Sequence, residues 1–168
     1  MSLRQHILNV FQIYQPQKKW KTIYWLVDVH GVILPPSFHK KNDFRFIHSD
    51  AEEVLRWIAR TPGQMLIPWT SSYNSELGDI HEWLLSHDIF ARAFNCNPFE
   101  SNTEYANFDK KPYYNILIDD KAGFMPGDWT MVKDTLKELG IWRNWKLRKA
   151  HVLKSKERWE KIMEWKSH

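Results

Sequence analysis

Three short apolar runs, each closed by hydroxyl or acidic residues, constrain the fold of this chain more than any other feature. Residues 23–27 (Ile-Tyr-Trp-Leu-Val) lead straight into Asp28. Residues 64–69 lead into Thr70-Ser71-Ser72, and residues 113–118 into Asp119-Asp120. A continuous apolar run rich in β-formers suits a strand buried on both faces, as in a parallel sheet. Parallel strands present their carboxyl ends along one edge, and open α/β sheets bind ligands outside that edge. The three runs therefore predict one edge where Asp28, Thr70, Asp119 and Asp120 converge.

The segments between the runs read as helices and loops. Leu3, Ile7, Leu8, Val10 and Phe11 stand near helical spacing, which predicts a helix over 3–14, and the polar stretch 15–21 with Pro16 reads as a connection. A helix over 51–60 follows Ser49 or Asp50 as cap, carries Glu52 and Glu53 in its first turn, and stops at Thr61-Pro62-Gly63. A further helix is expected over 75–87, a strand over 89–94 and a long polar loop over 97–109. Asp128 is expected to cap a helix reaching Leu139, with Gly140 at its C-terminus. Residues 141–168 are basic and tryptophan-rich, and Trp159, Ile162, Met163 and Trp165 have the spacing of a packed C-terminal helix. This alternation predicts a single domain over 1–168, with a core at about 22–140. Its expected architecture is a three-layer α/β/α sandwich around a mainly parallel, Rossmann-like sheet.

Composition narrows the function classes. The chain has 168 residues, 43% of them hydrophobic, and no apolar run nears the ~20 residues that span a bilayer. The N-terminus has no apolar signal core, so a cytoplasmic protein with no membrane partner is the expectation. A single cysteine, Cys96, excludes an internal disulfide, and the lack of CxxC pairs argues against structural zinc. His81 and His87 read as surface or boundary residues of one helix. The net charge of +4 suits anionic ligands and equally suits ordinary solubility. The ten tryptophans fit core filling better than base stacking.

Carboxylates gathered at one sheet edge repel one another unless a cation lies between them. Magnesium takes oxygen ligands, commonly one or two carboxylates with water and substrate phosphate. Thr70 and Ser71 offer hydroxyl and backbone N–H donors for a phosphoryl oxygen, and Lys111 or its neighbour Lys110 a positive charge. Phosphoryl transfer depends mostly on such positioning and charge stabilisation.

In these motifs the chain resembles the haloacid dehalogenase-like hydrolase superfamily. The motifs are Tyr24-Trp-Leu-Val-Asp28-Val-His30-Gly31-Val, Leu66-Ile-Pro-Trp-Thr70-Ser71, Lys111-Pro112 and Ile116-Leu-Ile-Asp119-Asp120, in that order. The resemblance implies that Asp28 attacks phosphorus to form an aspartyl-phosphate that water then hydrolyses. It implies that Thr70 and Ser71 bind the transferred phosphoryl group and that Lys111 stabilises it. It also implies Mg2+ held by Asp28, the backbone carbonyl of His30, Asp119 and Asp120.

His30 departs from the family pattern, whose phosphatases carry a second aspartate there as general acid and base. Imidazole, with an unperturbed pKa of about 6.5, can do both jobs; members with a non-acidic residue here tend toward slow phosphoenzyme hydrolysis or altered chemistry. The intervals from Gly31 to Thr70 and from Ser71 to Lys111 leave no room for a large cap. That implies an open site for a nucleotide, a nucleic-acid end or a phosphoprotein. Lys40-Lys41, Arg45, Arg143, Lys146, Arg148 and Lys149 would track a phosphate backbone or serve as solvated faces. The alternative function is a slow or inactive module binding nucleic acid or a protein partner. Oligomeric state is not legible.

Overall fold

The computed structural model describes residues 1–36 and 43–142. Lys40-Lys41 and the basic tail from Arg143, including the C-terminal helix expected there, lie outside the described residues.

The helical N-terminal segment consists of α1 (Leu3–Asn9), a π-helical stretch (Val10–Tyr14) and α2 (Gln15–Lys18). It runs past Tyr14, where the sequence predicts a connection, and the reason lies at Pro16. Proline lacks the N–H of a regular helix, and its ring crowds the carbonyl four residues back. The preceding turn is widened, with Gln15 N–H donating to Val10 O five residues back, so the helix accommodates the ring. The segment ends at Lys19, which is left-handed with φ +54°.

Among the described residues, β1 (Ile23–Asp28) is the central strand of a parallel three-stranded sheet of order β2–β1–β3. β2 (Gln64–Trp69) flanks it on one side, with Asp28 opposite Trp69. β3 (Ile116–Ile118) flanks it on the other, with Val27 opposite Ile118. β3 is shorter than the run 113–118 predicts, because Asn115 ends the ladder: its side-chain Oδ1 accepts from Tyr24 N–H at 2.8 Å. Between and after the strands lie α3 (Ser49–Arg60), α4 (Asn74–Ser86) and α5 (Asp128–Glu138). α3 is capped by the His48 side chain instead of Ser49 or Asp50.

Alternation along β1 divides the interior in two. Ile23, Trp25 and Val27 join Leu66, Ile116 and Ile118 in one buried cluster with Ile7 and Val10, Val54, Leu55 and Ile58 of α3, Leu84 of α4, and Trp129 and Val132 of α5. Tyr24, Leu26 and Ile67 form a smaller cluster on the other face, packed by Trp69, Tyr113, Tyr114 and Leu117. Trp25, Trp57 and Trp129 are fully buried, so these indoles fill the core as composition suggested.

Residues 89–94 form no strand. Ile89, Ala91 and Ala93 alternate into the interior as a strand would, but the segment meets β2 through Asn95, whose N–H donates to Pro68 O at 3.0 Å. His81 is not a surface residue: it is 3% exposed and meets the rings of Phe90 and Phe94 edge-on. No described helix is long and apolar enough to cross a membrane.

Candidate active site

The three strand ends meet as the parallel register requires. Asp28 closes β1, and its Oδ1 accepts from Val29 N–H at 2.7 Å, a donor shared with Trp69 O of β2 at 3.0 Å. The chain then makes one tight turn. Ile33 and Leu34 N–H both donate to Val29 O, and Gly31 N–H donates to Leu34 O. Trp129 of α5 pins this turn by donating from Nε1 to Val32 O at 2.9 Å. Gly31 sits at φ +88°, a conformation that L side chains rarely adopt.

Asp119 follows β3 and caps a short 3-10 turn (Asp120–Ala122), its Oδ1 accepting from Lys121 N–H at 2.7 Å. Asp120 Oδ2 accepts from Lys121 Nζ at 2.7 Å, while its Oδ1 is buried with no hydrogen-bond partner among the described residues. One carboxylate oxygen from each of Asp28, Asp119 and Asp120 lies within 4.8 Å of the others. Among the described residues this is the group of acidic, histidine or cysteine side chains that brings potential metal ligands together.

Electrostatics follow from that crowding. Burial pushes the Asp28 carboxyl up to about 6, and the Asp119 and Asp120 charges push the same way, against the Val29 N–H and His30. Asp120 is held below the usual carboxylate range, first by its hydrogen bond from Lys121. Lys121 is raised in turn by Asp120, with smaller contributions from Asp28 and Asp119.

An oxygen-seeking dication fits these residues. The donors are all carboxylates, one buried oxygen of Asp120 lacks a partner among the described residues, and a cation would offset both the burial that chiefly raises Asp28 and the smaller repulsion from Asp119 and Asp120.

Thr70 follows β2 and is 7% exposed. Its Oγ1 accepts from Ser72 N–H at 3.1 Å, lies 3.1 Å from Ser72 Oγ and stands 3.5 Å from His30 Nδ1. Ser71 is exposed. Asp28, Asp119 and Asp120 form one group, and Thr70 and His30 a contacting pair at the same edge, with the His30 charge acting on Asp28; among the described residues Lys111 joins neither. Lys111 is exposed, and among the described residues its side chain makes no ion pair or hydrogen bond, although its backbone N–H donates to Asn107 O at 3.3 Å. Lys110 is likewise exposed. Among the described residues the lysine at the acidic cluster is Lys121, which directly follows Asp119-Asp120 and which the sequence motifs do not single out. Arg45 pairs with Asp43 at 2.7 Å on the surface.

No family model matches the chain, and no curated protein matches it closely. A solved structure of a conserved locus-coded protein from Bacteroides thetaiotaomicron is similar, with a TM-score of 0.56 and 24% identity over 70% of this chain and 91% of that one. That likeness shows a shared fold.

Proposed function

We propose that this chain is a magnesium-dependent phosphatase of the haloacid dehalogenase-like type, hydrolysing a phosphomonoester through an aspartyl-phosphate on Asp28. The observation that carries the reading is the meeting of three carboxylates within 4.8 Å at the sheet edge that also carries Thr70. Tight clustering of like charges is costly, and a site that handles a cation and a phosphate uses it.

Asp28, Asp119 and Asp120, with the His30 backbone carbonyl, would hold Mg2+. When bound, the ion neutralises charge on the carboxylates and on the phosphoryl oxygens. The Val29 N–H orients the Asp28 carboxylate. An Asp28 oxygen bonds to phosphorus as the ester P–O bond breaks, and His30 gives its proton to the departing oxygen. His30 then takes a proton from water as that water attacks phosphorus, which releases phosphate and restores Asp28. Thr70 and Ser71 hold the phosphoryl oxygens, and a lysine ammonium offsets their charge.

The same reading carries the three-layer α/β/α arrangement of that superfamily, with the face of Tyr24, Leu26 and Ile67 as the one a further layer would cover. The described residues between Gly31 and Thr70 include α3 and β2, and those between Ser71 and Lys111 include α4 and a loop. An uncapped site of this kind suits a nucleotide, a nucleic-acid end or a phosphoprotein. The lack of a side-chain contact from Lys111 among the described residues favours a second reading, a slow or inactive module that binds nucleic acid or protein. Hydrolysis of an aryl phosphate with and without magnesium separates the two. The enzyme reading expects magnesium-dependent turnover that Asp28→Asn abolishes, and equal rates for the two proteins would remove it.

A further inference from the structure

Thr70 is held by a clamp that no strand motif includes. Asn95 accepts from Thr70 N–H through Oδ1 at 2.7 Å and donates from Nδ2 to Thr70 O at 2.7 Å. A backbone N–H only donates and a carbonyl only accepts, so these two contacts fix which way round the amide lies. The side chain therefore copies the paired N–H and C=O of a neighbouring strand at the point where β2 ends. Asn95 reaches this position from a left-handed backbone, φ +56°, a conformation asparagine adopts more readily than most residues. Its own N–H bonds Pro68 O at 3.0 Å, so one residue secures β2 at both Pro68 and Thr70.

The consequence for chemistry lies in what remains of Thr70. With its N–H and C=O both engaged by Asn95, its backbone torsions are set, and the Oγ1 is aimed toward His30 and Ser72. Phosphoryl transfer is sensitive to placement, and a misplacement of about 1 Å can cost about 100-fold. Resting on the phosphatase reading, we infer that Asn95 is a positioning residue for that reaction. It acts through Thr70 by locking the strand end so that the Thr70 hydroxyl meets the phosphoryl group.

The test is a double-mutant cycle on the full chain with an aryl phosphate and magnesium, using Asn95→Gly, Asn95→Asp, Thr70→Ala and the double variant Thr70→Ala/Asn95→Gly. Glycine keeps the left-handed backbone without the clamp, and aspartate keeps the acceptor while losing the donor. The inference expects kcat/KM to fall about 10- to 100-fold in Asn95→Gly and at least as far in Asn95→Asp, whose second carboxylate oxygen would face the Thr70 carbonyl oxygen. It also expects the double variant to be no slower than Thr70→Ala alone, because a clamp that acts through the hydroxyl has nothing left to position. Losses that multiply in the double variant, in proteins that still melt cooperatively, would mark Asn95 as merely structural and overturn the inference. An active wild type with unchanged kcat/KM in Asn95→Gly would overturn it too. A wild type that neither turns over nor binds inorganic phosphate overturns the phosphatase reading and this role together, so the two failures are distinguishable.

Discussion

A methyl group at Gly31 would stand 2.9 Å from Asp120 Oδ2, so the glycine after β1 and the second aspartate after β3 are sterically coupled. The approach joins two sequence-distant motifs by bare backbone. Gly31→Ala combines this clash with strain at φ +88°, and about 1–2 kcal/mol of destabilisation is expected. Displacement of Asp120 should also reduce the rise in melting temperature that magnesium gives the wild type. Differential scanning fluorimetry with and without magnesium measures both effects.

Asp28 stores a cost in the metal-free protein. Its folded pKa of about 6 lies above the ordinary 3.8, so the native state binds more protons than the unfolded chain between those values. Stability from this group is therefore lost as pH rises through that window. Asp28→Asn should raise metal-free stability near pH 7.5 by about 1–2 kcal/mol, after allowance for the solvent that still reaches the carboxyl. The gain should vanish below about pH 4. Urea melts across this range in the presence of a chelator provide the check.

His81 gives the opposite slope. Burial lowers its pKa to about 4 from 6.5, so the native state keeps the ring neutral where the unfolded chain protonates it. The protein should lose on the order of 3 kcal/mol from this group as pH falls from 6.5 to 4. In His81→Gln that part of the acid sensitivity should disappear, as urea melts over the same range would register.

Much of this arrangement was legible in the sequence, for identifiable reasons. The apolar runs of β1, β2 and β3 state their burial directly, and Asp28, Thr70 and Asp119 follow from where those runs stop. Residues 89–94 misled because Ile89, Ala91 and Ala93 alternate into the core without a backbone ladder. Alternation reports which side chains are buried, whereas a strand also needs a partner. Pro16 misled because a widened turn absorbs it. The Asn95 clamp was invisible because it depends on the tertiary approach of residues far apart in sequence.

Lys121 and Lys111 are open to direct comparison. Lys121 Nζ touches Asp120 and its charge is coupled to Asp28, while among the described residues the Lys111 side chain makes no such contact. Lys121→Met should lower kcat/KM about tenfold or more, and Lys111→Met should change it little. The reverse result would return the phosphate-stabilising role to Lys111.

His30 separates efficient turnover from a stalled site. His30→Ala should slow turnover by about 100-fold, in keeping with the loss of a general acid and base, and His30→Asp should retain it. If both variants match the wild type, the imidazole has no part in proton transfer.

The central claim is that Asp28 itself takes the phosphoryl group, and peptide mass spectrometry of an acid-quenched reaction with an aryl phosphate and magnesium tests it most directly. The expected result is one phosphoryl group on the peptide carrying Asp28, lost on mild base treatment and absent from Asp28→Asn. Substrate hydrolysis with a label that survives mild base, or with Asp28→Asn labelled as strongly as the wild type, would contradict it.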